Sequence, residues 1–147
     1  MPDTGPGAAY VLAFDFGLRR IGVAVGQTLT STATALETVK HGKTPDWTAI
    51  DRLDREWKPA LFVVGLPLGA EGEETDMSKQ ARAFGAALEK RYSRPVEYVD
   101  ERLTSRSAEA HFVEQRAAGT LRRKDSERID AIAAQLICEN WLQARGP

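Results

Sequence analysis

The sequence predicts an α/β fold: a mixed five-stranded sheet with helices on both faces, in the order βββαβαβαα. Three observations predict it. Three short apolar segments follow one another closely near the start, separated by Gly17 and by the Thr/Ser-rich stretch from Thr28 to Thr32. That spacing suits an antiparallel meander. Two further apolar strands then alternate with segments of helical period, which implies crossover connections, and two helical segments close the chain.

The first strand, Tyr10 to Phe16, shows no polar alternation and reads as buried on both faces. The second runs from Arg20 to Val25 and the third from Thr34 to Thr38. Thr44-Pro45 predicts the start of a helix, with threonine as cap and proline at the first helical position. Its apolar face is Trp47, Ile50, Leu53 and Trp57, and Lys58-Pro59 ends it. Leu61 to Val64 form a buried strand that leads into Gly65-Leu66-Pro67 and a polar loop reaching Asp76. Met77, Ala81, Phe84, Leu88 and Tyr92 make the stripe of a second helix. After Ser93-Arg94-Pro95 the last strand, Val96 to Val99, is closed by Asp100-Glu101. Thr104 or Ser105 caps a third helix to about Ala118, with Gly119 as its stop. Asp125 or Ser126 caps the last, whose apolar face is Ile129, Ile132, Ala133, Leu136, Ile137 and Trp141.

Composition narrows the function classes. At 147 residues the chain suits one domain, residues 10–145, after a loose tail at 1–9 that carries two prolines and two glycines. Twenty basic residues against twenty-one acidic ones argue against a uniformly polyanion-binding surface but leave room for a local basic patch. A lone cysteine, Cys138, allows neither an intrachain disulfide nor a cysteine-based zinc site, and it falls in the apolar pattern of the last helix. The start lacks the pattern of a secretory signal, and no apolar run approaches the roughly 20 residues a membrane span needs. The expectation is a cytoplasmic protein.

Acids stand at three places that core packing would not choose. Asp15 ends the first strand, Asp100-Glu101 end the last, and Asp130 lies in one helical stripe with Ala134, Ile137 and Trp141. Carboxylates beside buried strands are costly to desolvate without a hydrogen bond, a cation or a metal. Oxygen-only ligand sets suit Mg²⁺ or Mn²⁺, and two such ions about 4 Å apart can activate a water and stabilise a leaving oxygen in phosphodiester cleavage. The competing reading is structural ion pairing, for which Arg19, Arg20, Arg102 and Arg128 stand near in sequence.

The segments FDFGLRRIGVAVG, VVGLPLGAEGEE, VDERLTS and RIDAIAA, in this order and spacing, closely resemble the YqgF/RuvX family over about Val11 to Leu142. The resemblance implies a ribonuclease H-like fold and a nuclease described either as processing pre-16S rRNA or as resolving Holliday junctions. It places the first-strand acid on Asp15, the D-E-R motif on Asp100, Glu101 and Arg102 with Glu101 as the metal-facing acid, and the helix acid on Asp130. Many relatives carry another acid near the end of the second strand, where this chain reads Gly26-Gln27, so no metal role is assigned there.

Other groups have two readings each. Gly65 to Gly69 either borders the cleft and meets a nucleic-acid backbone, with Gly65 and Pro67 in contact, or is an ordinary strand-to-loop turn. From Arg102 to Arg128 seven basic residues stand against four acidic ones, and Arg122, Arg123 and Lys124, read as a loop, are either phosphate contacts or a solvated cluster. Arg102 either clamps a phosphate or holds Asp15 or Asp130. The acidic loop Glu71, Glu73, Glu74 and Asp76 lies away from the substrate or gates it. No His-based triad is present, and Trp47, Trp57 and Trp141 fall on core faces.

The leading expectation is therefore a divalent-metal endonuclease acting on structured nucleic acid, pre-rRNA or branched DNA, as a monomer or homodimer. Asp15, Glu101 and Asp130 would hold Mg²⁺ or Mn²⁺. A binding module that has lost turnover is a second class. The Asp15-Phe16-Gly17 sequence also occurs in actin-like sugar kinases and ATPases, but those need two such domains around a nucleotide.

Overall fold

The computed structural model describes residues 9–103 and 123–145. Five strands, β1 (Tyr10–Phe16), β2 (Arg20–Gln27), β3 (Thr32–Lys40), β4 (Leu61–Leu66) and β5 (Val96–Asp100), form one sheet in the order β3-β2-β1-β4-β5. The helices are α1 (Trp47–Trp57), α2 (Asp76–Tyr92) and α3 (Arg123–Arg145), with a 3₁₀ turn at Glu101–Leu103. β1, β2 and β3 pair antiparallel, as the short connections predict, while β4 and β5 join β1 in parallel through α1 and α2. The predicted helix from Thr104 or Ser105 to Ala118, the tail at 1–8 and Arg122 lie outside the described residues.

Strand parity divides the core into two layers. Leu12, Phe14 and Phe16 of β1 point to the α1/α2 side, where they meet Ile50, Leu53, Ala81, Phe84 and Leu88. Val11 and Ala13 point the other way, towards Ile137, Cys138, Trp141 and Leu142 of α3. The first layer is thick and aromatic: the Phe14 ring lies 5.4 Å from Phe84 and 6.1 Å from Phe62. The second is thin, because beyond Arg20 β2 offers α3 only Gly22, Ala24 and Gly26. A Cβ on Gly22 would overlap the Asp130 carbonyl, and one on Gly26 would overlap the Cys138 sulfur. Buried there, the Cys138 thiol is pushed up to about 12, with Glu139 adding to the effect, and it is an inert packing group.

Several local expectations are corrected. α1 is capped by Asp46, whose carboxylate accepts from the Ala49 N–H at 3.3 Å, while Pro45 forms a bridge with His41. An acidic cap outcompetes Thr44 because it also offsets the helix dipole. α2 begins at Asp76 behind a reciprocal Thr75–Ser78 capping box. The last helix already includes Arg123 and Lys124 where the described residues resume, so these two are helical and not in a loop. Its buried residues are Ala131, Ala134, Ile137, Cys138, Trp141 and Leu142, whereas Ile129, Ile132, Ala133 and Leu136 are half-buried. Where the helix rests on Gly22 and Gly26 the residues drawn in are Ala131 and Cys138, while Ile129, Ile132 and Leu136 flank the contact. β3 is bulged where β2 passes from Val23 to Ala24, leaving Leu36 unpaired, and the Ala35 N–H donates to the Gln135 side chain at 3.3 Å.

Candidate active site

The α3 face of the sheet carries the acids. Asp15 follows Val11 and Ala13 in alternation and lies opposite Gly22 in register. Because Gly22 has no side chain, the α3 backbone at Asp130 sits directly on β2 there, which brings the helix acid beside the end of β1. The third acid arrives from β5. Val99 faces α3, Tyr98 and Asp100 face α2, and the turn after β5 returns Glu101 to the α3 side. A Cβ on Gly65 would stand 2.7 Å from the Glu101 Oε1 and against Ile137, so the glycine in β4 makes room for this carboxylate.

Asp15 and Glu101 are hydrogen-bonded to each other. Burial, that hydrogen bond and the Glu101 charge, in this order, hold the Asp15 carboxyl well above the usual carboxylate range. Two carboxyls can bond in this way only by sharing a proton. Asp130 is joined to Arg20, with Nε to Oδ2 at 2.8 Å. Among the described residues no three His, Cys, Asp or Glu side chains form a metal-holding group as they stand. The donor chemistry nevertheless suits a hard divalent cation. It is all carboxylate oxygen, and the shared proton marks a position where positive charge is favoured.

Asp100 does different work. Its carboxylate accepts from the Arg102 backbone N–H at 2.9 Å and from Arg102 Nε at 2.8 Å, which holds its pKa below the usual value. Arg102 also donates to the Ala70 carbonyl at 3.1 Å. It thus ties the end of β5 to the acidic loop, and in this structure its partner is Asp100 and not Asp15 or Asp130. The loop is closed on itself. Glu73 accepts from the Glu71 N–H at 3.0 Å, Glu74 pairs with Arg82 at 2.9 Å, and the Pro67 carbonyl accepts from the Thr75 hydroxyl at 2.7 Å. Gly72 takes a left-handed φ of 87° with the Arg102 guanidinium beside it.

Asp15, Asp130 and Glu101 thus lie on the same face of the sheet, the α3 side. Gly22 was not anticipated as part of the site, although a glycine inside an apolar strand is a signal of close backbone approach. Arg20 was one of four arginines offered as a partner, and only the packing of α3 on β2 selects it.

The architecture is that of the ribonuclease H-like nucleases. Its sheet and helices superpose on the solved structure of T. thermophilus RuvC in complex with Holliday junction substrate, with a TM-score of 0.52 and 20% identity over 93% of this chain and 95% of that one. A second Thermus thermophilus RuvC structure matches with a TM-score of 0.50 and 17% identity, over 92% and 95% of the two chains. The chain belongs to the RuvX family, whose model, described as a Holliday junction resolvase, matches residues 9–144. A relative from Hydrogenovibrio crunogenus named "Putative pre-16S rRNA nuclease" is 50% identical over 96% of this chain and 98% of its own length. One of the same name from Xanthomonas campestris is 45% identical over 98% and 95%. The protein is accordingly a hydrolytic nuclease with a nucleic-acid substrate. Among the described residues no helix is long and apolar enough to cross a membrane.

Proposed function

We propose that this chain is a Mg²⁺- or Mn²⁺-dependent endonuclease that processes the 5′ end of pre-16S rRNA in the cytoplasm. The observation that carries the reading is the hydrogen-bonded pair of carboxyls, Asp15 and Glu101, beside a buried strand end. It occurs in a chain 45% to 50% identical to relatives named as pre-16S rRNA nucleases. Asp15 and Glu101 would hold the cation together with Asp130 of α3. When bound, a divalent cation supplies the positive charge that lowers the pKa of water and offsets charge on the leaving oxygen. No side-chain nucleophile is then required. Arg102 sets the turn that carries Glu101 by holding Asp100. Arg122, Arg123 and Lys124, six to eight residues before Asp130 in the sequence, contact the phosphates of the substrate, and the Gly65–Pro67 segment borders its path.

The test is cleavage of a pre-16S rRNA fragment in Mg²⁺. Asp15→Asn and Glu101→Gln keep the circular-dichroism spectrum and lose cleavage, whereas Asp100→Asn retains it at a reduced rate. Cleavage by Asp15→Asn would sink the assignment. The description of the family model favours a second reading, cutting of four-way DNA junctions. Junction resolution requires two sites related by a two-fold axis, so it goes with a stable dimer. Mass in solution, with both substrates offered side by side, separates the two readings.

A further inference from the structure

Asp130 is joined to a cation of the chain itself. Arg20 opens β2, and its Nε lies 2.8 Å from the Asp130 Oδ2, with 44% of the arginine side chain and 26% of the aspartate exposed. Directly opposite Arg20 in register stands Lys40 of β3, so two cations share the α3 face at this end of the sheet. Like charges in a cross-strand pair oppose each other unless an anion lies between or beside them. Asp130 is one such anion. A phosphate is another, and its oxygens match the arginine fork.

We propose that Arg20 is a positioning residue that holds Asp130 in the free protein and releases it when a substrate phosphate takes the guanidinium. Divalent cation and nucleic acid then bind cooperatively. The inference rests on the metal-nuclease reading. A cation seated at Asp15 and Glu101 attracts Asp130 and repels Arg20, but the arginine gives up its carboxylate only when another acceptor is at hand. A phosphate backbone entering over Arg20 and Lys40 is that acceptor. Each ligand removes what opposes the other, and by linkage the coupling is reciprocal.

The experiment is calorimetric titration of Mn²⁺ into the protein with and without a short RNA hairpin, run cold and with the RNA checked intact on a gel. In the wild type the hairpin tightens Mn²⁺ binding by about fivefold or more. Arg20→Gln binds Mn²⁺ more tightly than the wild type when no RNA is present, and the hairpin adds little. Arg20→Lys restores part of the coupling. On an Asp130→Asn background the Arg20 substitution changes nothing. Arg20→Gln that binds Mn²⁺ no tighter than the wild type, or that keeps the full coupling, overturns the proposal. Asp15→Asn distinguishes the two levels of failure. If it binds Mn²⁺ as well as the wild type, the metal reading itself falls and takes the proposal with it. If it loses Mn²⁺ while Arg20→Gln behaves as wild type, only the role of Arg20 fails.

Discussion

At Asp15 the metal-free protein keeps a carboxyl protonated above the usual range, because burial and Glu101 both oppose its ionisation. The sign of the linkage follows. A group whose pKa is raised by folding contributes stability below its unfolded value, and that contribution is lost as pH rises through the folded value. Removing the charge should therefore help the fold where it harms the chemistry. Asp15→Asn is expected to unfold at a higher temperature than the wild type in EDTA at neutral pH. The gap closes as pH falls to the ordinary carboxylate range. Thermal melts between these limits check it; a wild type that melts higher than the variant at neutral pH would contradict the shared-proton site. Residue identity here was legible in the sequence, since an acid at the end of a continuous apolar strand stands out. Its partner came only from the family resemblance, not from the pattern of residues. Asp100 and Glu101 are neighbours in one motif, and only the alternation of β5 against β4 turns one towards Arg102 and the other towards Asp15.

Two glycines place the acids by different means, and their substitutions should differ accordingly. At Gly22 an added Cβ meets the backbone of α3 at Asp130 and Ala131, which cannot move without lifting the helix off β2. Gly22→Ala should cost about 3 kcal/mol and also abolish cleavage. At Gly65 the added Cβ meets the ends of two side chains, Glu101 and Ile137. Gly65→Ala should cost about 1 kcal/mol yet lower cleavage strongly, because Glu101 must swing from the pair. Denaturant melts and rates on the same preparations test the contrast; equal losses of stability would refute it. The helices show where periodicity suffices. α2 carries its predicted stripe because large side chains pack into a thick layer. On α3 Ile129, Ile132 and Leu136 are only half-buried while the smaller Ala131, Ala134 and Cys138 are buried, because the helix rests closely on Gly22 and Gly26. Hydrophobic size misjudges a helix that rests on a glycine-rich strand.

Across the whole molecule the two layers divide the work. The aromatic layer under α1 and α2 supplies stability, helped by surface ties such as Asp51, which accepts from Arg91 at 2.7 Å and from the Tyr92 hydroxyl at 2.6 Å. The thin layer under α3 carries the unfavourable carboxylates. A cation that neutralises them binds only the folded chain, so Mg²⁺ should raise the unfolding free energy by about 2.7 kcal/mol at one hundred times its dissociation constant. Asp15→Asn should show no such rise. A Mg²⁺-dependent shift of equal size in that variant would place the cation elsewhere.

The order of the elements, the antiparallel meander followed by parallel crossovers, and the three unusual acids were determined by the sequence itself. These are properties of alternation, helical period and turn residues, which act over a few positions. Tertiary structure decided which acid of Asp100-Glu101 enters the site, which arginine answers Asp130 and which face of α3 is buried. Each of these depends on strand register and on one backbone passing close over another. Such contacts join residues as distant as Gly22 and Asp130, and no local pattern encodes them.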